Sequence, residues 1–244
     1  MKPLVSLTLA GAVVLAVVAF GPAAPLPKGN PGTLYDPFDG KFALDWKVVR
    51  PDADHVSFKK VPGSLVITTQ RGSIHGKSQE DRLSEGTLAK NIHLIDIPFK
   101  DGDWSATTCV TDFTPVTTYH QAGLILYDDD DNYLKWTYEY NWRKPGGQTF
   151  HLVAETAGVP VHDQPEANES GLKKFWLRLC KRGDKYVYAW SAEGEKWTTA
   201  GERAWDGKGK RVGLIAKNGG NKDAAELDAA FEFFELRSLA AGKK

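Results

Sequence analysis

Lys135, Thr137 and Glu139 alternate along the chain with Leu134, Trp136 and Tyr138. In an extended strand the two sets point to opposite faces, so one packs a core and the other lies free. The same parity sets Gln121 opposite Ala122, and Trp176 and Arg178 opposite Leu177 and Leu179. A sheet face offering Gln121, Lys135, Glu139 and Arg178, with Trp176 or Tyr188 as a platform, suits a polyol. Amide and charged groups hydrogen-bond hydroxyls, and an aromatic ring supplies an apolar bed. The plainer alternative is a solvated face carrying a Lys–Glu pair on one strand.

Catalysis asks for more. Hydrolysis of a glycoside uses two carboxylates about 5–10 Å apart. Glu226, Asp228 and Glu232 share a parity in the run ELDAAFE, which suits a terminal strand better than a reacting set. Glu139 with Asp112 is the other pair the alternation allows. No residue is assigned a catalytic role, and the sequence favours binding over chemistry. The four aspartates 128–131 could offer oxygens to a structural calcium ion. Consecutive side chains cannot all turn towards one ion, however, and a charged hairpin tip is the simpler explanation. No other cofactor is expected. The six histidines show no HExxH or paired-ligand spacing, which argues against zinc. There is no GxSxG, P-loop or dinucleotide fingerprint, and Gly219-Gly220 reads as a turn.

The elements that would position these side chains are short and extended. Residues 104–142 read as three strands cut by two turns, at Pro115 and at the aspartates. Their period-two alternation of β-branched and aromatic residues is the mark of antiparallel strands with one buried face. Upstream, Phe38, Phe42, Leu44 and Trp46 suggest an opening strand, and a polar stretch over 70–89 reads as a long loop. Downstream, strands are expected at 150–154, 175–180, 186–190, 212–216 and 229–236, with 158–171 as loop. Many short strands and no amphipathic helix point to a sandwich.

The runs FDGKFALDWKVVRP, VPGSLVITT, DFTP, QAGLILY, NYLKWTYEY, FWLRLCKRGDKYVYAWSAEGEKW, RVGLIA and FEFFEL cover residues 38–236. Together they resemble the concanavalin A-like domain at the C-terminus of family-43 β-xylosidases, and the bacterial family called domain of unknown function 1349. The resemblance implies an all-β, concanavalin A-like jelly-roll β-sandwich of two antiparallel sheets. It also implies a sheet face of the kind such sandwiches use for carbohydrate. In the xylosidases this domain accompanies a separate catalytic propeller, so hydrolysis is not implied for the chain. A carbohydrate-binding module is the leading expectation. A glycoside hydrolase acting on plant or algal polysaccharide, and a protein-interaction module of the cell envelope, are the alternatives.

Residues 1–23 carry Lys2, an apolar run and a small-residue site, the pattern of a cleaved secretory signal; an uncleaved anchor is the alternative. The expected organisation is this segment, a Pro/Gly linker over 24–34, one sandwich over 35–238 and a tail over 239–244. A secreted or periplasmic monomer is expected. Basic and acidic residues balance at 31 each, leaving no global field for nucleic acid or an anionic membrane surface. Export would permit a disulfide between the two cysteines. Alternation sets Cys109 with Phe113 on the core side and Cys180 on the outer side, so they are expected to stay unpaired.

Overall fold

The computed structural model describes residues 32–74, 87–99, 102–163 and 169–239. The segment expected to be a signal, most of the expected linker, the middle of the 70–89 stretch and the tail beyond residue 239 lie outside the described residues. Two antiparallel sheets pack face to face. The seven-stranded sheet runs, in spatial order, β10 (Val159–Asp163), β9 (Gln148–Thr156), β8 (Asn132–Tyr140), β7 (Gln121–Asp129), β14 (Arg211–Lys217), β5 (Ile92–Asp96) and β2 (Lys47–Val49). The eight-stranded sheet runs β13 (Thr198–Ala204), β12 (Lys185–Ser191), β11 (Lys174–Arg182), β6 (Trp104–Thr111), β15 (Asp228–Ser238), β4 (Leu65–Thr68) and β3 (Val56–Ser57), with β1 (Thr33–Asp36) on β15. This is the two-sheet sandwich expected from the alternation. Among the described residues no helix is long and apolar enough to cross a membrane.

The core lies between the sheets and uses every second residue of each strand. Leu134, Trp136 and Tyr138 of β8 and Ala122, Leu124 and Leu126 of β7 meet Leu177, Leu179 and Tyr188 from the other sheet. Trp136 buries its ring 5.1 Å from Tyr188, and its Nε1 donates to Ala189 O at 3.0 Å. Phe150 stacks on Trp190 at 4.9 Å. Burying rings of this size stabilises by about 2–3 kcal/mol each, enough to fix strand parity throughout the sheets. A one-residue slip would send the whole apolar set to the wrong face.

Four expectations need correction. The three strands over 104–142 do not lie side by side: β6 belongs to one sheet and β7–β8 to the other, so residues 112–120 cross between sheets. Phe38, Phe42, Leu44 and Trp46 form no strand. They wrap around the carboxylate of Asp36, which is fully buried and accepts from Phe38 N, Ala43 N, Leu44 N and Trp46 Nε1 at 2.8–3.1 Å. Strands β10 and β13 were not foreseen, and both are sheet edges. There Pro160 is tolerated and a polar sequence such as TTAGERA can pair on one side only. Finally, Cys109 does not face the core. It lies opposite Trp176 and Cys180 lies opposite Ser105, so both thiols sit on the outer face of one sheet. Four residues of strand, about 13 Å, keep them apart. Both are buried and free.

Asp36 holds the opening loop against the core through four donors, and Asp36→Ala strands all of them. The substitution should destabilise the fold by about 3 kcal/mol in denaturant unfolding, with Asp36→Asn recovering part of it. An unchanged midpoint in Asp36→Ala would contradict that role.

Candidate functional site

The outer face of the seven-stranded sheet is where the candidate side chains collect. Register sets Lys217 of β14 beside Gln121 of β7, Gln121 beside Glu139 of β8, and Glu139 beside Thr149 of β9. Four residues along β8, Lys135 neighbours Val153 of β9, which neighbours His162 of β10. This face is not solvated. Ile74, Ile92, Leu94, Ile125, Tyr127, Tyr133, Val153 and Ile215 form a second apolar cluster on it. The segment before β5 and the turn after β14 close over one side. Gly72 N donates to Gly219 O at 2.7 Å, and Asn218 N to Gln70 O at 2.9 Å. Gly219 has φ +74°, and a Cβ there would come within 2.5 Å of Tyr119 Cβ. Only glycine allows this turn to pass under Tyr119.

Polar side chains are wired together inside that cover. Lys135 Nζ donates to Gln121 Oε1 at 2.8 Å, and Gln121 Nε2 donates to Glu139 Oε2. His151 Nδ1 lies 2.7 Å from Glu139 Oε1, so it carries a proton towards that carboxylate. Its Nε2 is then free to accept from His162 Nδ1, 3.2 Å away, and the two rings stack at 5.2 Å. Tyr133 OH donates to Glu155 Oε2 at 2.8 Å. Lys217 is 3 % exposed, and its contact is the Tyr119 ring, 5.7 Å from Nζ. The chain therefore buries two ammonium groups on an outer sheet face, with no ion pair to either among the described residues.

These groups enclose a cavity of about 100 Å³. Its walls include Tyr119, Gln121, Lys135, His151, His162 and Lys217, and among the described residues no carboxylate lines it. Burial drives the Lys135 ammonium down to about 8, against the pull of Glu139 and Glu155. Burial and the neighbouring Lys135 charge push Lys217 well below its ordinary value, opposed by Glu139. For Glu139 burial acts upward, but the hydrogen bond and charge of His151, the Gln121 amide and Lys135 outweigh it. Its carboxyl stays below the usual range.

Of the six residues expected to share one face, the structure brings together Gln121, Lys135 and Glu139 only. Arg178 and Trp176 lie on the outer face of the opposite sheet, on the far side of the sandwich. Their rings and charges are already partnered: Arg178 stacks on Trp197 at 3.7 Å, and Lys174 lies 5.0 Å over Trp176. Tyr188 faces neither surface. It is opposite Leu179, fully buried between the sheets, with its hydroxyl on Asp163. Parity within one strand was right in each case except Tyr188. What it lacked was which strands share a sheet.

The proposed carboxylate sets do not assemble. Glu226 meets His55, Asp228 meets Lys60 and Thr68, and Glu232 meets Lys174, each a separate surface contact. Asp112 sits past the end of β6 in the other sheet from Glu139. The aspartate tip is structural rather than merely charged. Asp128 accepts from the backbone N–H groups of Lys208, Gly209 and Lys210, Asp129 closes the turn, and Asp130 holds Arg50 at 2.8 and 2.9 Å. Among the described residues no three His, Cys, Asp or Glu side chains converge as a cation site would need. His151, His162, Lys217 and Tyr119 escaped the sequence argument. Lys217 and His151 were reachable: each is out of phase with core residues, Ala216 for one, Phe150 and Leu152 for the other.

Over residues 35–237 the chain matches the family described as beta xylosidase C-terminal Concanavalin A-like domain. Among solved structures it is similar to the GH43 protein BlXynB from Bacillus licheniformis, at 25% identity and a TM-score of 0.69. The alignment covers 89% of this chain and 41% of that one, so the chain spans less than half the length of that relative. The xylan beta-1,4-xylosidase from Bacillus halodurans shows the same fold at 18% identity and a TM-score of 0.63, covering 88% and 41% of the two chains. The beta-glucanase of Bacillus licheniformis shares it over 86% of this chain and 99% of its own, at 10% identity and a TM-score of 0.53. Among curated proteins none matches.

The buried lysines make stability depend on alkaline pH. Folding holds Lys135 at about 8 where the unfolded chain has the ordinary 10.5, so the unfolded state binds more protons in between. Stability should therefore rise from about pH 8 to 10.5, with Lys217 acting in the same direction. Lys135→Met should flatten that rise, measured as the urea midpoint across pH. A flat wild-type profile would show that Lys135 is solvated.

Proposed function

Because this chain belongs to the family of β-xylosidase C-terminal concanavalin A-like domains, we propose that it is an exported, monomeric glycan-binding module without chemistry of its own. Its ligand enters the pocket on the outer face of the seven-stranded sheet. One observation carries this: a cavity whose donors and acceptors come from β7, β8, β9, β10 and β14 converges beside the Tyr119 ring. Rigid strands present amide, ammonium and imidazole groups, the chemistry that reads hydroxyls. Tyr119 and His162 keep exposed surface at its mouth.

Hydrolysis finds no support in the same pocket. Glu139 is turned into its network, and Glu155 lies opposite Tyr133, six residues along β8 from Glu139. That is about 20 Å of strand, far beyond the separation of an acid and its base or nucleophile. The xylosidase activity named for one relative belongs to a chain more than twice as long as the part aligned here.

Affinity electrophoresis through neutral and acidic soluble polysaccharides tests the proposal. The wild-type chain should be retarded by at least one. Tyr119→Ala and His162→Ala should each weaken retention about tenfold, roughly 1.4 kcal/mol, without lowering the melting temperature. Trp176→Ala, on the opposite sheet, should leave it unchanged. Loss of retention in Trp176→Ala alone, or release of reducing sugar by the wild type, would overturn it.

A further inference from the structure

Two lysines and two glutamates are buried on this face, but among the described residues only the lysines line the cavity. Glu139 is satisfied by Gln121 and His151, and Glu155 Oε2 accepts from Tyr133. Lys135 spends one N–H on a neutral amide oxygen. Among the described residues Lys217 has neither a hydrogen bond nor an ion pair, and its Nζ lies 5.7 Å from the centre of the Tyr119 ring. An ammonium taken out of water without a counterion costs several kcal/mol, and here two line the same cavity with His151 and His162, with no acid among the described residues of its wall. The whole chain is neutral, with 31 charges of each sign, so the gathering of cationic side chains at this cavity is not a by-product of a basic protein.

We propose that the ligand of this pocket is an acidic sugar, whose single negative group lies against Lys217 and Lys135 while its hydroxyls meet Gln121 and the two histidines. The proposal rests on the glycan-binding reading and adds to it the class of ligand. A uronic acid carboxylate and a sulfate ester offer the same chemistry: a monoanion with several acceptor oxygens fixed to a sugar ring. Either would give the buried ammonium its missing acceptor in a site of low dielectric, where a charge-assisted hydrogen bond is strong. A neutral sugar would leave Lys217 unpaired.

Titration calorimetry with matched pairs tests this. Oligogalacturonides are compared with their carboxyl-reduced forms, xylo-oligosaccharides with and without a glucuronic acid branch, and sulfated with desulfated galactan oligomers. Sodium acetate and sodium sulfate serve as bare anions. At least one acidic member should bind tenfold or more tighter than its neutral partner, with the gap narrowing as salt rises. Lys217→Met, an apolar side chain of similar length, should erase the gap, and Lys217→Arg should keep part of it. Should Lys217→Met fail to fold, the matched pairs and their salt dependence in the wild type decide. Equal affinity within every pair would refute the acidic ligand and leave the glycan reading standing. No binding by any sugar would refute both. Acetate or sulfate binding as tightly as the acidic sugar would also refute both, since the site would then hold an anion and not a sugar.

Discussion

Two lysines and two glutamates are buried on the outer face of a sheet, where a sandwich ordinarily meets water. Desolvating such groups is unfavourable unless each finds a partner. Most of the local architecture answers that constraint. Gln121 stands between Lys135 and Glu139 and offers each the end of its amide it needs. His151 turns Nδ1 to the carboxylate and leaves Nε2 for His162. The turn at Gly219 and the segment around Gly72 close the lid, and the apolar residues beside them keep water from relaxing the network. Among the described residues Lys217 has neither a hydrogen bond nor an ion pair to complete it.

The opposite sheet shows how the same parity leads to a different surface. Its outer face also carries Arg, Lys, Trp and Glu, but there the cations lie over the rings and the carboxylates sit at separate surface contacts. The difference follows from what lies above each sheet: a crossing segment and two glycine-permitted turns over one, side chains stacked on one another over the other. The relatives share the sandwich at identities of 10–25%, which is what a scaffold defined by an apolar parity permits. Core positions need only be apolar and of suitable volume, while the outer faces are free to diverge.

Much of this was legible in the chain, and the failures share one cause. Alternation alone placed Leu134, Trp136 and Tyr138 inside and Lys135, Thr137 and Glu139 outside, and it joined Gln121 to them correctly. It could not say that β6 and β7 belong to different sheets, because consecutive strands usually pair and the crossing at 112–120 has no distinctive composition. Trp176 and Arg178 were therefore drawn to the wrong side of the molecule. Cys109 was misplaced by counting parity through Asp112, whose φ of +58° breaks the alternation before Phe113. The strand at 159–163 was hidden by Pro160, and the wrapped loop at 37–46 by its apolar residues, which look like a strand until the buried Asp36 is seen to organise them.

Because the two outer faces carry different reporter side chains, NMR can locate the ligand directly. The pocket face has His151 and His162, and the other has Trp176 and Trp197. Imidazole and indole ¹⁵N resonances would be followed while an acidic oligosaccharide is added to the full chain. Binding in the pocket predicts that the His151 and His162 signals move together along one saturating curve while the Trp176 and Trp197 indoles stay in place. Movement of those indoles with still histidines would put the ligand on the other sheet and contradict the site.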